Sequence, residues 1–169
     1  MATIPAIAIL YVLQYIVDTG LKKSKMQYYA VWNDIYNSKI NTDVLICGGS
    51  RAWMQISTRI LDSTLHTNSY NIGMDGCFFR MQYARFKIFM AHDPKPKYII
   101  QNVDLVLFSD RKDLFVREQF LPYLHDTIIQ NITSHYIGKF TTAEYIFPLF
   151  KYNNHLNIIK EGIACFFNM

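Results

Sequence analysis

The stretch DVLICGGSRAW, residues 43–53, constrains the fold more than any other part of the chain. Asp43 to Cys47 is a mostly apolar run of strand length and reads as a buried strand. It meets Gly48 and Gly49 at once, and then presents Ser50 beside Arg51. Two glycines let a backbone turn tightly and let another group come close. A buried strand that ends this way exposes a hydroxyl at its carboxyl end.

The rest of the chain says what surrounds that strand. Residues 26–41 carry Tyr28, Val31, Trp32, Ile35 and Tyr36 at the spacing of one helix face. Ser57 is placed to cap a helix over 58–65 whose Ile60, Leu61 and Leu65 are expected to face inward. Ser69 to Ile72 reads as a second strand, ending in NIGMDG. A helix from about Cys77 to Ala91 follows, with Phe79, Tyr83, Phe86 and Met90 as its apolar stripe. Arg80, Arg85 and Lys87 fall off that stripe and are expected in solvent. Asp93-Pro94 and Lys95-Pro96 stop the helix. Lys97 to Val103, KYIIQNV, is a third strand closed by Asp104, and 104–110 continues extended and apolar. Residues 111–126 read as loop plus helix, and 128 onward as weakly helical, interrupted at Pro148.

Strands separated by helical crossovers argue for a parallel sheet in an α/β fold, with helices on both faces as a three-layer α/β/α sandwich. Ligands in such sheets bind beyond the carboxyl ends of the strands. Three clusters converge there: Gly48–Arg51, Gly73–Gly76 and Gln101–Asp104.

Composition narrows the function. With 169 residues, 51% hydrophobic and 18% charged, the chain builds a core and is not disordered. The 12 Tyr and 12 Phe are read as bulky core and surface rings rather than a dedicated binding face. A formal charge of +4, with Lys and Arg scattered, lacks the concentrated field of a nucleic-acid binder. Cys47, Cys77 and Cys165 form no CxxC pair, and their odd number argues against a disulfide framework. Cys47 reads as a small buried hydrophobe. His66, His92, His125, His135 and His155 show no metal-ligand spacing, so no metal or other cofactor is expected. A nucleotide-binding phosphate loop would need a longer glycine loop and a lysine before the hydroxyl residue, and neither is present.

Ile4 to Val17, IPAIAILYVLQYIV, is apolar except for Gln14. At 1.5 Å per residue it spans roughly 21 Å, short of a bilayer core of roughly 30 Å. Residues 1–25 are therefore read as an N-terminal hydrophobic helix, with residues 4–21 a candidate membrane contact, and 26–169 as the α/β domain. A membrane anchor, an interfacial helix and a helix of the soluble body all stay open. Lys22, Lys23 and Lys25 follow the segment, which by the positive-inside rule puts the body in the cytoplasm.

A serine nucleophile needs exposure, a base and donors for the oxyanion. GGSRA after a first strand, NIGMDG after a second and QNVD after a third resemble the SGNH (GDSL-like) hydrolases and acyltransferases. The likeness covers roughly residues 43–105 and is closest to the envelope-associated bacterial branch. It implies a flavodoxin-like α/β/α fold and a serine esterase or O-acyltransferase acting on a cell-envelope glycan. It also implies a membrane-anchored domain facing the periplasm or exterior, against the cytoplasmic placement above. By position, Ser50 matches the nucleophile, Gly76 an oxyanion-hole glycine, and Asn102 the third-block asparagine. Arg51 and Asp104 are substrate-binding candidates. Register on Asp104 would put Val103 at the asparagine position instead. The family's closing Asp-x-x-His has no counterpart here, so the chain is expected to be C-terminally incomplete and inactive alone. Two other readings stand beside the enzyme. One is a non-catalytic scaffold in which Gly48–Arg51 cradles an anion or glycan. The other is a plain tight turn with no ligand.

Overall fold

The computed structural model describes residues 3–109 and 112–168. The chain divides into two compact units, Asp34–Phe115 and Met1–Asn33 with Val116–Met169.

The central unit is an α/β fold around a parallel three-stranded sheet. Strands β1 (Val44–Cys47), β2 (Ser69–Asn71) and β3 (Tyr98–Gln101) lie in the order β2-β1-β3. The apolar run of β1 is buried throughout because it is the middle strand, paired on both sides. Leu45 stands opposite Tyr70 on one side and Ile99 on the other. Strand β3 is exposed at every residue, and among the described residues its outer edge carries no partner strand. Each strand begins within two residues of its expected start, because apolar runs bounded by turn residues are local signals.

The helices of this unit are α3 (Ser50–Gln55), α4 (Thr58–Leu65) and α5 (Phe79–His92). Ser57 caps α4 as expected, its hydroxyl accepting from Ile60 N–H at 3.4 Å. The faces of both longer helices differ from the sequence reading. Ile60 and Leu65 are exposed, and α4 buries no residue. On α5 the first half of the expected stripe faces outward, with Phe79 stacked on Tyr83 in solvent, while Phe86 and Met90 are half-buried. The buried face is Met81, Gln82, Ala84, Arg85, Ile88 and Phe89. Arg85, expected in solvent, is only 5% exposed. Its guanidinium donates to the Ile72 and Gly73 carbonyls, which a loop at a strand end cannot satisfy by itself. After β3 the chain does not stay extended: Leu105–Phe108 is a short 3-10 turn. Asp110 and Arg111, where the extended reading ended and the loop began, lie outside the described residues.

The second unit is helical. It contains α1 (Thr3–Leu21), most of α2 (Gln27–Tyr36), α6 (Thr127–Ser134), α7 (Thr142–Ile146) and α8 (Leu156–Phe167). A 3-10 segment, Arg117–Tyr123, precedes α6, and a second, Phe150–Tyr152, follows Pro148. Trp32 on α2 is fully buried against Phe120 and Tyr123, and its indole N–H donates to Gln119 at 3.0 Å. Tyr29 is buried beside it, while Tyr28 is 40% exposed, so the buried face of α2 is turned by one residue from the expected one. Helices α1 and α8 meet at Gly20 and Gly162, where a Cβ on Gly20 would lie 1.7 Å from the Gly162 carbonyl oxygen. Asp18, which interrupts the apolar run, accepts from Lys151 at 2.8 Å and from the Tyr152 hydroxyl. A half-buried carboxylate is tolerated when it is paired in this way. No described helix is long and apolar enough to cross a membrane.

Candidate functional site at the carboxyl end of the sheet

The site is built where β1 gives out. Gly48 takes φ 150°, which side-chain-bearing residues rarely adopt. A Cβ there would lie 2.7 Å from Ala52 Cβ and 2.8 Å from Asn102 Cβ. The glycine therefore lets the first turn pack directly against the end of β3. Gly49 then opens α3 from an extended conformation. It has no side chain to cap the first N–H groups of the helix, so they stay available to an oxygen ligand. Ser50 is the first residue of α3 and is exposed, while Gly48 and Gly49 beneath it are buried. Among the described residues the Ser50 hydroxyl has no hydrogen-bonded base.

The three expected clusters are joined by backbone bonds. Met74 N–H donates to the Gly48 carbonyl at 2.9 Å, tying the second loop to the first turn. Asn102 N–H donates to the Cys47 carbonyl at 2.9 Å, tying in the third. Asn102 stands against Gly48, and its Oδ1 is buried with no hydrogen-bond partner among the described residues. Gly76 has φ 59° and lies under the Phe115 ring, where a Cβ would come within 2.4 Å. Its loop belongs to the same strand-end cluster, but its own nearest neighbour is Phe115 and not Ser50.

Arg51 and Asp104 are brought together as an ion pair at 2.8 Å. Arg51 is mostly exposed and Asp104 largely covered, so the pair draws a long side chain across the mouth of the turn rather than leaving a free cation. The Cys47 thiol is pushed up to about 12 by burial, which leaves it protonated and unreactive.

Three further residues shape this site, and none was a candidate from sequence. Asn71 donates to the Ala52 and Ile56 carbonyls at 2.8 and 3.2 Å and accepts from Gly73 N–H at 2.9 Å. One amide thus closes the end of α3 and shapes the second loop. Gln82 is buried and donates to the Cys77 carbonyl at 2.7 Å, with its amide near Gly49. Arg85 holds Ile72 and Gly73 as described. Asn71 carried a legible signal, as an amide at a strand end two residues before a glycine. Gln82 and Arg85 carried none, because a polar residue on a helix gives no local sign that a distant loop needs its donors.

The site thus offers an exposed hydroxyl on a glycine turn, helix N–H groups that the N-cap residue leaves uncapped, a side-chain amide and a paired arginine. No family model, curated protein or solved structure matches this chain.

Proposed function

We propose that this protein is an SGNH-type serine esterase or O-acyltransferase of three-layer α/β/α design, with Ser50 as nucleophile and an acylated envelope glycan as substrate. The observation that carries the reading is Ser50 itself, exposed on a glycine turn at the end of the fully buried middle strand. The loops of Gly73–Gly76 and Asn102 are hydrogen-bonded to that turn. In this reading the N–H groups opening α3 and the Asn102 amide stabilise the oxyanion, with Gly76 contributing from the second loop. Arg51, held by Asp104, borders the acceptor side. Activation of the hydroxyl requires a general base, without which it keeps an alcohol's low reactivity.

The test is fluorophosphonate labelling and nitrophenyl-acetate turnover by the full natural protein. Ser50→Ala is expected to abolish labelling and lower turnover by at least about 10³-fold. Undiminished turnover would exclude Ser50 as nucleophile.

A second reading, a non-catalytic glycan or anion cradle, is favoured by the absence of any base on Ser50 among the described residues. It is weakened by Asp104, which already neutralises Arg51. Binding that survives Ser50→Ala and falls with Arg51→Ala would select it.

A further inference from the structure

Helix α1 has two halves of opposite character. Its second half is built into the helical unit through Val17, Asp18, Gly20 and Leu21. Its first half is not. Every residue from Pro5 to Leu13 is exposed, as is Tyr15, with Ile9 at 60% and Val12 at 58%. No charged side chain occurs between residues 3 and 17. A helix against a protein core is apolar on one stripe, whereas one that is apolar on all sides calls for apolar surroundings on all sides.

A second segment stands beside it. The Tyr11 hydroxyl donates to the Ile146 carbonyl at 2.7 Å, and Leu149 N–H donates to Gln14 Oε1 at 2.7 Å. These bonds hold residues 146–150, IFPLF, along α1 and satisfy two of the segment's backbone groups from within the protein. Internal satisfaction of that kind is what a backbone entering lipid requires. Ile146, Phe147 and Phe150 are all about half exposed, and 145–150 carries no charge. Lys22, Lys23 and Lys25 are exposed beyond the other end of α1, about 10 Å past residue 15 and within range of attraction to anionic head groups.

We propose that the helical unit seats itself in a lipid bilayer by inserting residues 5–15 of α1 together with residues 146–150 into one leaflet. Eleven helical residues span roughly 16 Å, about half of a bilayer's hydrocarbon core. A protein partner or a second copy would cover one face of what α1 and residues 146–150 leave open; lipid covers all of that exposed surface. The proposal is independent of the chemistry at Ser50.

Flotation with phosphatidylcholine vesicles, with and without phosphatidylglycerol, tests it. The protein is expected to float with both and more strongly with the anionic lipid. Ile9→Ser with Val12→Ser, and separately Phe147→Ser with Phe150→Ser, are each expected to lower partitioning at least about tenfold, with circular dichroism unchanged. Phe147→Trp is expected to shift its emission to the blue when vesicles are added. Protein that stays in the aqueous phase would overturn the proposal. Loss of binding in the α1 variant alone would remove residues 146–150 from it. A dimer formed without vesicles and dissolved by Ile9→Ser with Val12→Ser would assign the surface to a second copy.

Discussion

The two units of this chain are held together in different ways. In the α/β unit, the strands and the turns after them are tied by backbone groups, with Asn71, Gln82 and Arg85 bracing the loops. The parallel ladder runs from Val44 to Cys47, and the Gly48 and Cys47 carbonyls accept from the following loops. In the helical unit, the ties are side chains from distant positions. Examples are Trp32 to Gln119, Lys151 to Asp18, and Arg117 to Glu144 at 2.6 Å. The first kind of structure depends on where glycine stands, the second on which side chains meet. Substitutions should therefore hurt the two units for different reasons.

The largest effect is expected at Trp32. Trp32→Ala empties a site packed by Phe120 and Tyr123 and removes the indole donor to Gln119 Oε1, at a cost of about 4 kcal/mol. Urea unfolding measures that loss. Hydrogen exchange should show it first in the amides of α2 and 117–123, and equal loss in β1 would break the comparison.

Gly48→Ala is the counterpart in the α/β unit. It adds no polar change, yet it should cost about 3 kcal/mol, because the backbone is at φ 150° and the new methyl meets Ala52 and Asn102. A loss below about 1 kcal/mol would mean that the turn yields easily.

Acid should separate the units further. Burial pushes the Glu144 carboxyl up, but the Arg117 bridge and the Thr141 donors more than offset it, leaving it below the usual carboxylate range. A carboxyl depressed by folding adds stability above its unfolded pKa and loses it as pH falls through the folded value. Asp93 is the reverse. Burial raises it against the opposing Ile40 N–H bond, and its Oδ2 is unpartnered. Its contribution is present at low pH and is lost as pH rises through the folded value. Glu144→Gln is expected to cost about 2 kcal/mol at neutral pH and to flatten the acid limb of the melting curve. Asp93→Asn should remove the opposite slope. Parallel pH profiles for both variants would contradict this assignment.

The smallest effect is expected at Ser57, where Ser57→Ala removes the α4 cap for about 1 kcal/mol. Melting temperature suffices to read it.

How much of this was legible follows from the range of each interaction. The strand over 44–47, its glycine turn, the Ser57 cap and the stop at Pro94 and Pro96 are written within a few residues and were readable. The faces of α4 and α5 were not. Phe79 and Tyr83 are apolar and exposed, while Gln82 and Arg85 are polar and buried, because carbonyls of the loop after β2 accept from those donors. The turn from 105 to 108 was misread as extended because an apolar run of that length fits either state.

Asp18 shows the limit most plainly. In sequence it only interrupts an apolar run. Its partner Lys151 lies 133 residues away. By itself, the sequence determined a parallel α/β core and an exposed serine at its central strand end. Both follow from local hydrophobic runs and from glycine's freedom to turn. The tertiary structure alone decided which half of α1 belongs to a packed body and which polar side chains support the serine's loops. Those choices depend on groups far apart in the chain that must find one another before either can leave water.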